Sequence, residues 1–137
     1  MTAFPAIGHV ALTVTDLRAS ATWYQRLLDV EPVLDEDAGG YHHVVFAIGR
    51  GTLIGLHAHP GTTDGDRFDE LRAGLDHVAF ACADRAELQA WDRRLDDLGI
   101  AHSAIVVAPY GSGLSLRDPD NIALEFFAPP TPEETDR

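Results

Sequence analysis

The sequence predicts an α+β fold built from two tandem βαβββ modules, on three observations. "HVALTVTDLRASATWYQRLLDV" (9–30) and "HVAFACADRAELQAWDRRLDDL" (77–98) align without a gap and share eight of 22 positions, among them His9/His77, Asp16/Asp84, Trp23/Trp91 and Leu27/Leu95. Similarity at one fixed offset marks a duplicated structural unit. The same offset of 68 residues lays "IGLHAH" (54–59) over "IALEFF" (122–127), so the duplication runs to the end of each half. Each half also holds one segment with helical spacing of apolar residues, set among short runs of β-branched and aromatic ones.

The elements follow in order. "IGHVALTV" and "LDHVAFAC" are dense in apolar and β-branched residues and read as the opening strands. Asp16 and Asp84 come next, each placed to cap a helix with its carboxylate. In the second half Glu87 stands three residues on and completes a capping-box pattern. Leu17, Ala21, Tyr24 and Leu28 form the apolar stripe of the first helix; Leu88, Trp91, Leu95 and Leu98 form that of the second, which Gly99 stops. Three strands then complete each module, over 31–36, 41–48 and 52–58 and over 102–107, 112–117 and 121–127. "GRG" (49–51) and "RDPDN" (117–121) supply tight connections, because Gly, Pro, Asp and Asn favour turn dihedrals.

This assigns residues 1–128 to a single domain of module 5–59, linker 60–73 and module 74–128, and 129–137 to a disordered tail. The tail segment "APPTPEETDR" has three prolines and three acids, too little apolar surface to build a core. Formal charge is −12, with ten arginines and no lysine. An acidic surface repels phosphate backbones and anionic lipid, which argues against nucleic-acid and membrane partners. No apolar run approaches the roughly 18–20 residues of a membrane helix, and the N-terminus lacks a signal-peptide pattern. The lone Cys82 forbids an intrachain disulfide and fits the cytoplasm, where it is expected to be a buried, inert thiol.

Strand alternation places the chemistry. Val10, Leu12 and Val14 take the face under the first helix, leaving His9, Ala11, Thr13 and Thr15 on the other. In the fifth strand His77, Ala79 and Ala81 share the uncovered face; in the last strand Ala123, Glu125 and Phe127 do. Two imidazoles and a carboxylate at repeat-related places can hold a divalent cation with positions left open. Taken singly, each could equally be a hydrogen-bonded strand histidine or a glutamate in an ion pair.

These residues resemble the vicinal oxygen chelate superfamily, which includes glyoxalase I, extradiol dioxygenases, fosfomycin-modifying enzymes, methylmalonyl-CoA epimerase and bleomycin-resistance proteins. The resemblance spans 7–128 and is carried by "IGHVALTVTDLRASATWYQRLL", "GLDHVAFACADRAELQAWDRRLDDLGI" and "GSGLSLRDPDNIALEFFAP". The D-P-D-[GN] turn before a strand ending in Glu is its most specific mark. It implies a glyoxalase-like fold in which mixed sheets curl into a cup around one divalent ion (Fe, Mn, Ni or Zn), held by His9, His77 and Glu125. It also implies a homodimer and a small-molecule substrate with vicinal oxygens, processed by dioxygenase or lyase/isomerase chemistry.

At the fourth position of the implied ligand set the chain departs from glyoxalase I, whose glutamate is missing from "LIGLHAH". The repeat offset puts His57 opposite Glu125, while aligning on the following proline shifts the match by one residue; His57 is read as a fourth ligand, as a catalytic acid–base group, or as a mere rim histidine near Pro60. Ser115, Tyr110 and His43 are candidate substrate contacts, with Glu125 and His57 as candidate catalytic groups. A fosfomycin-type phosphonate site calls for more cationic charge than the chain offers. The competing class is a metal-free small-molecule or drug-binding protein of the bleomycin-resistance type, which the acidic balance would suit.

Overall fold

The computed structural model describes residues 3–62 and 65–135, and the chain divides into two compact units, Met1–Asp66 and Arg67–Arg137. The first unit runs β1 (His9–Thr13), α1 (Leu17–Leu28), β2 (Leu34–Asp37), β3 (His42–Ala47) and β4 (Leu53–Ala58). The second runs β5 (Val78–Ala81), α2 (Arg85–Asp97), β6 (Val106–Ala108), β7 (Gly111–Arg117) and β8 (Ala123–Ala128), and ends with the helical turn α3 (Pro132–Thr135). Each sheet is mixed. The orders are β1-β4-β3-β2 and β5-β8-β7-β6, with the first and last strands of each module parallel and the other pairs antiparallel. This is the predicted βαβββ arrangement, twice, in a glyoxalase-like fold.

The caps act as their residue types dictate. Asp16 Oδ1 accepts from Ala19 N–H at 3.1 Å and Asp84 Oδ1 from Glu87 N–H at 2.9 Å. Glu87 reciprocates by accepting from Ala83 N–H at 2.5 Å, so the second cap satisfies two donors that the helix cannot. Gly99, at φ +70°, closes α2 while Ile100 N–H returns to Leu95 O at 2.9 Å. α1 ends instead on Asp29 at φ 54°.

One face of each sheet is buried under its helix. In the first unit Leu12, Val14, Val44, Phe46, Ile54 and Leu56 pack with Tyr24 and Leu27; in the second Leu114, Leu116, Ile122, Leu124 and Phe126 pack with Leu88 and Leu95. Each fully buried side chain of this kind stabilises by about 1.5–3 kcal/mol. The α1 stripe is turned from the predicted one. Ser20, Tyr24 and Leu27 are buried, while Leu17 and Ala21 face a groove completed by Pro32 and Val44. On α2, Trp91 stacks on Phe126 at 4.3 Å between centroids. Cys82 is buried and its thiol is pushed up to about 11, by burial first and then by Glu87 and Asp84.

The edge strands are shorter than predicted. β2 begins at Leu34, three residues late, since Pro32 has no N–H for a ladder, although Val33 N–H still reaches Val45 O. β6 begins at Val106; upstream of it only an isolated bridge, His102 to Leu116, marks the segment expected to open the strand. The second half of the expected linker packs on the second unit. Phe68 N–H donates to Asp120 O, Asn121 Nδ2 donates to Phe68 O, and Arg117 grips Glu70 through two bonds of 2.9 and 2.7 Å. Within the segment expected to be a disordered tail, α3 is held by an ion pair from Arg85 to Glu134. Among the described residues no helix is long and apolar enough to cross a membrane.

Candidate metal centre

In the second unit the parallel pairing of β5 and β8 sets Ala79 opposite Glu125. His77 stands one residue before β5, on the same side by alternation, and its Nε2 lies 3.4 Å from Glu125 Oε2. Its Nδ1 is 2.7 Å from Asp76 Oδ1. In the tautomer whose Nδ1–H donates to Asp76, the Nε2 lone pair would face Glu125, the orientation that a carboxylate partner imposes on a metal-binding histidine. Two ligand atoms each about 2.1 Å from a tetrahedral cation stand about 3.4 Å apart, so the pair fits one first-row dication without rearrangement. Room for the carboxylate comes from Gly113 on β7, where a Cβ would stand 2.6 Å from Glu125 Oε1. Ser115 is exposed and opposite Glu125 in register, and the exposed Tyr110 stacks on Phe127 at 6.4 Å.

In the first unit His9 opens β1 and is exposed. Register corrects the repeat offset here. Ala11 of β1 pairs with Gly55, whereas its counterpart Ala79 pairs with Glu125, so Gly55 holds the acid's place and His57 stands where Phe127 does. The last strands are offset by 70 residues, two more than the opening strands and helices. The imidazole nevertheless returns to the vacated space, with His57 Nε2 only 3.3 Å from where a Gly55 Cβ would be. Burial, followed by His43, His59 and His9, holds His57 below the usual imidazole range and so favours its neutral form.

Around His57 the same sheet face carries a ring cluster. Tyr41 stacks on it at 4.8 Å and 9°, His43 meets it edge-on at 5.4 Å, and His59 lies 5.4 Å from Tyr41. His43 is the direct cross-strand partner of His57 and also reaches Glu36 Oε1 at 3.3 Å. Sequence reasoning named His43 and His57 and set Tyr41 and an exposed His59 on the same faces, but gave those two no role and missed Asp76. Asp76 was readable in principle, since it adjoins His77, yet the repeat hid it because Gly8 occupies the matching place.

A second His/Asp group is of another kind. Asp92, Asp96 and His102 lie close enough to face a single cation. Both His102 nitrogens are already engaged, however: Nε2 with Asp96 Oδ1 at 2.8 Å and Nδ1 with Ser103 O at 2.7 Å. Burial pulls this imidazole down, but Asp96, the Ser103 carbonyl and Asp92 push it up, and the net shift is upward. It therefore acts as a charged clamp on the end of α2. His42 is likewise held between Asp35 and Asp37, at 2.5 and 2.8 Å.

Comparison with known proteins agrees with the fold. No curated protein matches the chain. A glyoxylase/bleomycin resistance protein/dioxygenase domain from Frankia sp. EAN1pec is 34% identical, with 93% of this chain and 99% of that one covered and a TM-score of 0.83. The fosfomycin resistance protein FosX of Listeria monocytogenes is 22% identical over 97% of each chain, with a TM-score of 0.71. A mutant of FosX has been crystallised with Mn(II) and 1S,2S-dihydroxypropylphosphonic acid. A lactoylglutathione lyase from Agrobacterium tumefaciens is 24% identical over 90% of this chain and 92% of that one, with a TM-score of 0.67. The family pattern itself is matched over residues 6–126, and the chain belongs to the Glyoxalase/Bleomycin resistance protein/Dioxygenase superfamily.

Proposed function

We propose that this protein is a divalent-metal-dependent enzyme acting on a small molecule with vicinal oxygens, by dioxygenase or lyase/isomerase chemistry. The observation that carries the reading is the His77–Glu125 pair, 3.4 Å apart with Asp76 on the far nitrogen of the imidazole. His9, the repeat counterpart of His77, is the third ligand in this reading. A bound cation would supply positive charge against the negative charge that develops on the substrate's oxygens. His57, favoured in its neutral form, serves as the acid–base group that accepts a substrate proton. In this reading Glu125 would hold the cation and, like His57, act as a catalytic group, while Ser115, Tyr110 and His43 would contact the substrate. The exposed Val106 and Val107 on edge strand β6 suit a second copy of the chain, making the working form a homodimer.

Metal analysis of protein purified without added metal tests this directly. About one Fe, Mn, Ni or Zn per chain is expected in the wild type and a small fraction of that in His77→Ala. Equal, negligible metal in both would reject the reading in favour of a metal-free small-molecule or drug-binding protein. Where metal is present, turnover of catechols against 2-oxoaldehydes separates oxygenase from isomerase.

A further inference from the structure

The ring cluster of the first unit lies outside that unit's core. Its core lies on the other sheet face, in Leu12, Val44, Phe46, Ile54 and Leu56. At the register-equivalent places of the second unit, in place of Tyr41, His43, His57 and His59, stand Gly111, Gly113, Phe127 and Pro129. A βαβββ module therefore forms without these four rings. Tyr41, His43 and His57 are half-buried and His59 is exposed, so part of each ring meets solvent.

Charge narrows what such a wall can take. No strand of the first sheet contains arginine or lysine. The strands of the second sheet contain one, Arg117, and Glu70 holds it through two hydrogen bonds. Neither sheet thus offers a free arginine or lysine among its strand residues, and a strong anion lying on the rings away from any metal would be desolvated without a partner. An uncharged flat ring has the opposite fit, since stacked and edge-on aromatic contacts add to simple area burial.

We infer that Tyr41, His43, His57 and His59 form a stacking wall for an uncharged aromatic or heteroaromatic ring, which is the non-reacting part of the substrate. The inference rests on the metal-enzyme reading only for the vicinal oxygens attached to that ring; the wall stands without it. Tyr41 and His59 are positioning residues that set ring specificity.

The test is ligand-observed NMR with calorimetry on the full chain, using catechol, phenol and 1,2-dihydroxypropylphosphonate as probes. Each is measured with Zn(II) present and again with chelator. Tyr41→Phe should bind catechol as the wild type does, Tyr41→Leu roughly tenfold more weakly, and the exposed His59→Ala a few-fold more weakly. Unchanged thermal midpoints show that the variants are folded, and in the chelated protein the phosphonate should bind at least about tenfold more weakly than catechol. If chelated protein binds phenol and catechol alike, with the Tyr41→Leu loss intact, the wall stands even where metal binding fails. Equal ring binding in wild type and Tyr41→Leu, phosphonate binding to the chelated protein as tight as catechol, or no ring binding in any form would overturn the inference.

Discussion

Asp76 is present only in the second module, so His77 has a carboxylate on its Nδ1 where His9 has glycine at the matching place. Removing such a partner typically costs 10- to 100-fold in metal affinity, so Asp76→Ala should weaken a divalent ion by about that factor in competition with a chromogenic chelator. Affinity equal to wild type would show that Asp76 does not orient the ring. Gly113→Ala tests the other proposed ligand, Glu125. Its new Cβ would stand 2.6 Å from Glu125 Oε1, so the carboxylate must swing away and metal affinity should fall. Because the obstructed atom ends a flexible side chain, the thermal midpoint should move little. Of these residues, strand alternation let the sequence set His9, His77 and Glu125 on the uncovered faces. It could not reveal Asp76, which breaks the repeat. Nor could it reveal the Tyr41–His57 stack, which depends on the β3–β4 register rather than on either residue.

At the scale of elements, the two helix starts were readable because a capping aspartate works through local bonds. Asp84→Ala should cost about 1 kcal/mol of unfolding free energy by urea titration, with the loss of its 2.9 Å bond to Glu87 N–H. The edge strands β2 and β6 were misjudged by several residues because their extent is set by pairing partners and by Pro32, not by their own composition. The two-residue slip between the last strands was also invisible. It nevertheless left every face assignment intact, since a shift of two preserves strand parity. The end of α2 supplies a pH test. His102 titrates above its unfolded value, so its contribution is complete below the ordinary imidazole pKa and vanishes as pH rises through the folded one. The stability gap between wild type and His102→Gln should therefore be larger at about pH 5.5 than at about pH 9. A gap independent of pH would show that the clamp is not charged.

For the molecule as a whole, duplication explains most of what was legible: class, topology and the pair of matched histidines follow from one repeated pattern. The proposed function is less legible because part of it lies where the modules differ, in Gly55 for an acid, in His57 returning over it, and in a ring cluster that the second module lacks. A cation that binds the folded chain alone raises its stability by mass action, about 2.7 kcal/mol at a free concentration 100 times the Kd. Zn(II) should thus raise the thermal midpoint of the wild type and leave that of His77→Ala unmoved. The most direct measurement of the central claim is NMR of protein carrying 15N-labelled histidine, titrated with Zn(II). One equivalent should shift the Nε2 resonances of His9 and His77 and leave those of His42 and His102, both already held by aspartates, in place. Shifts confined to His102, or no shift at His77, would contradict it.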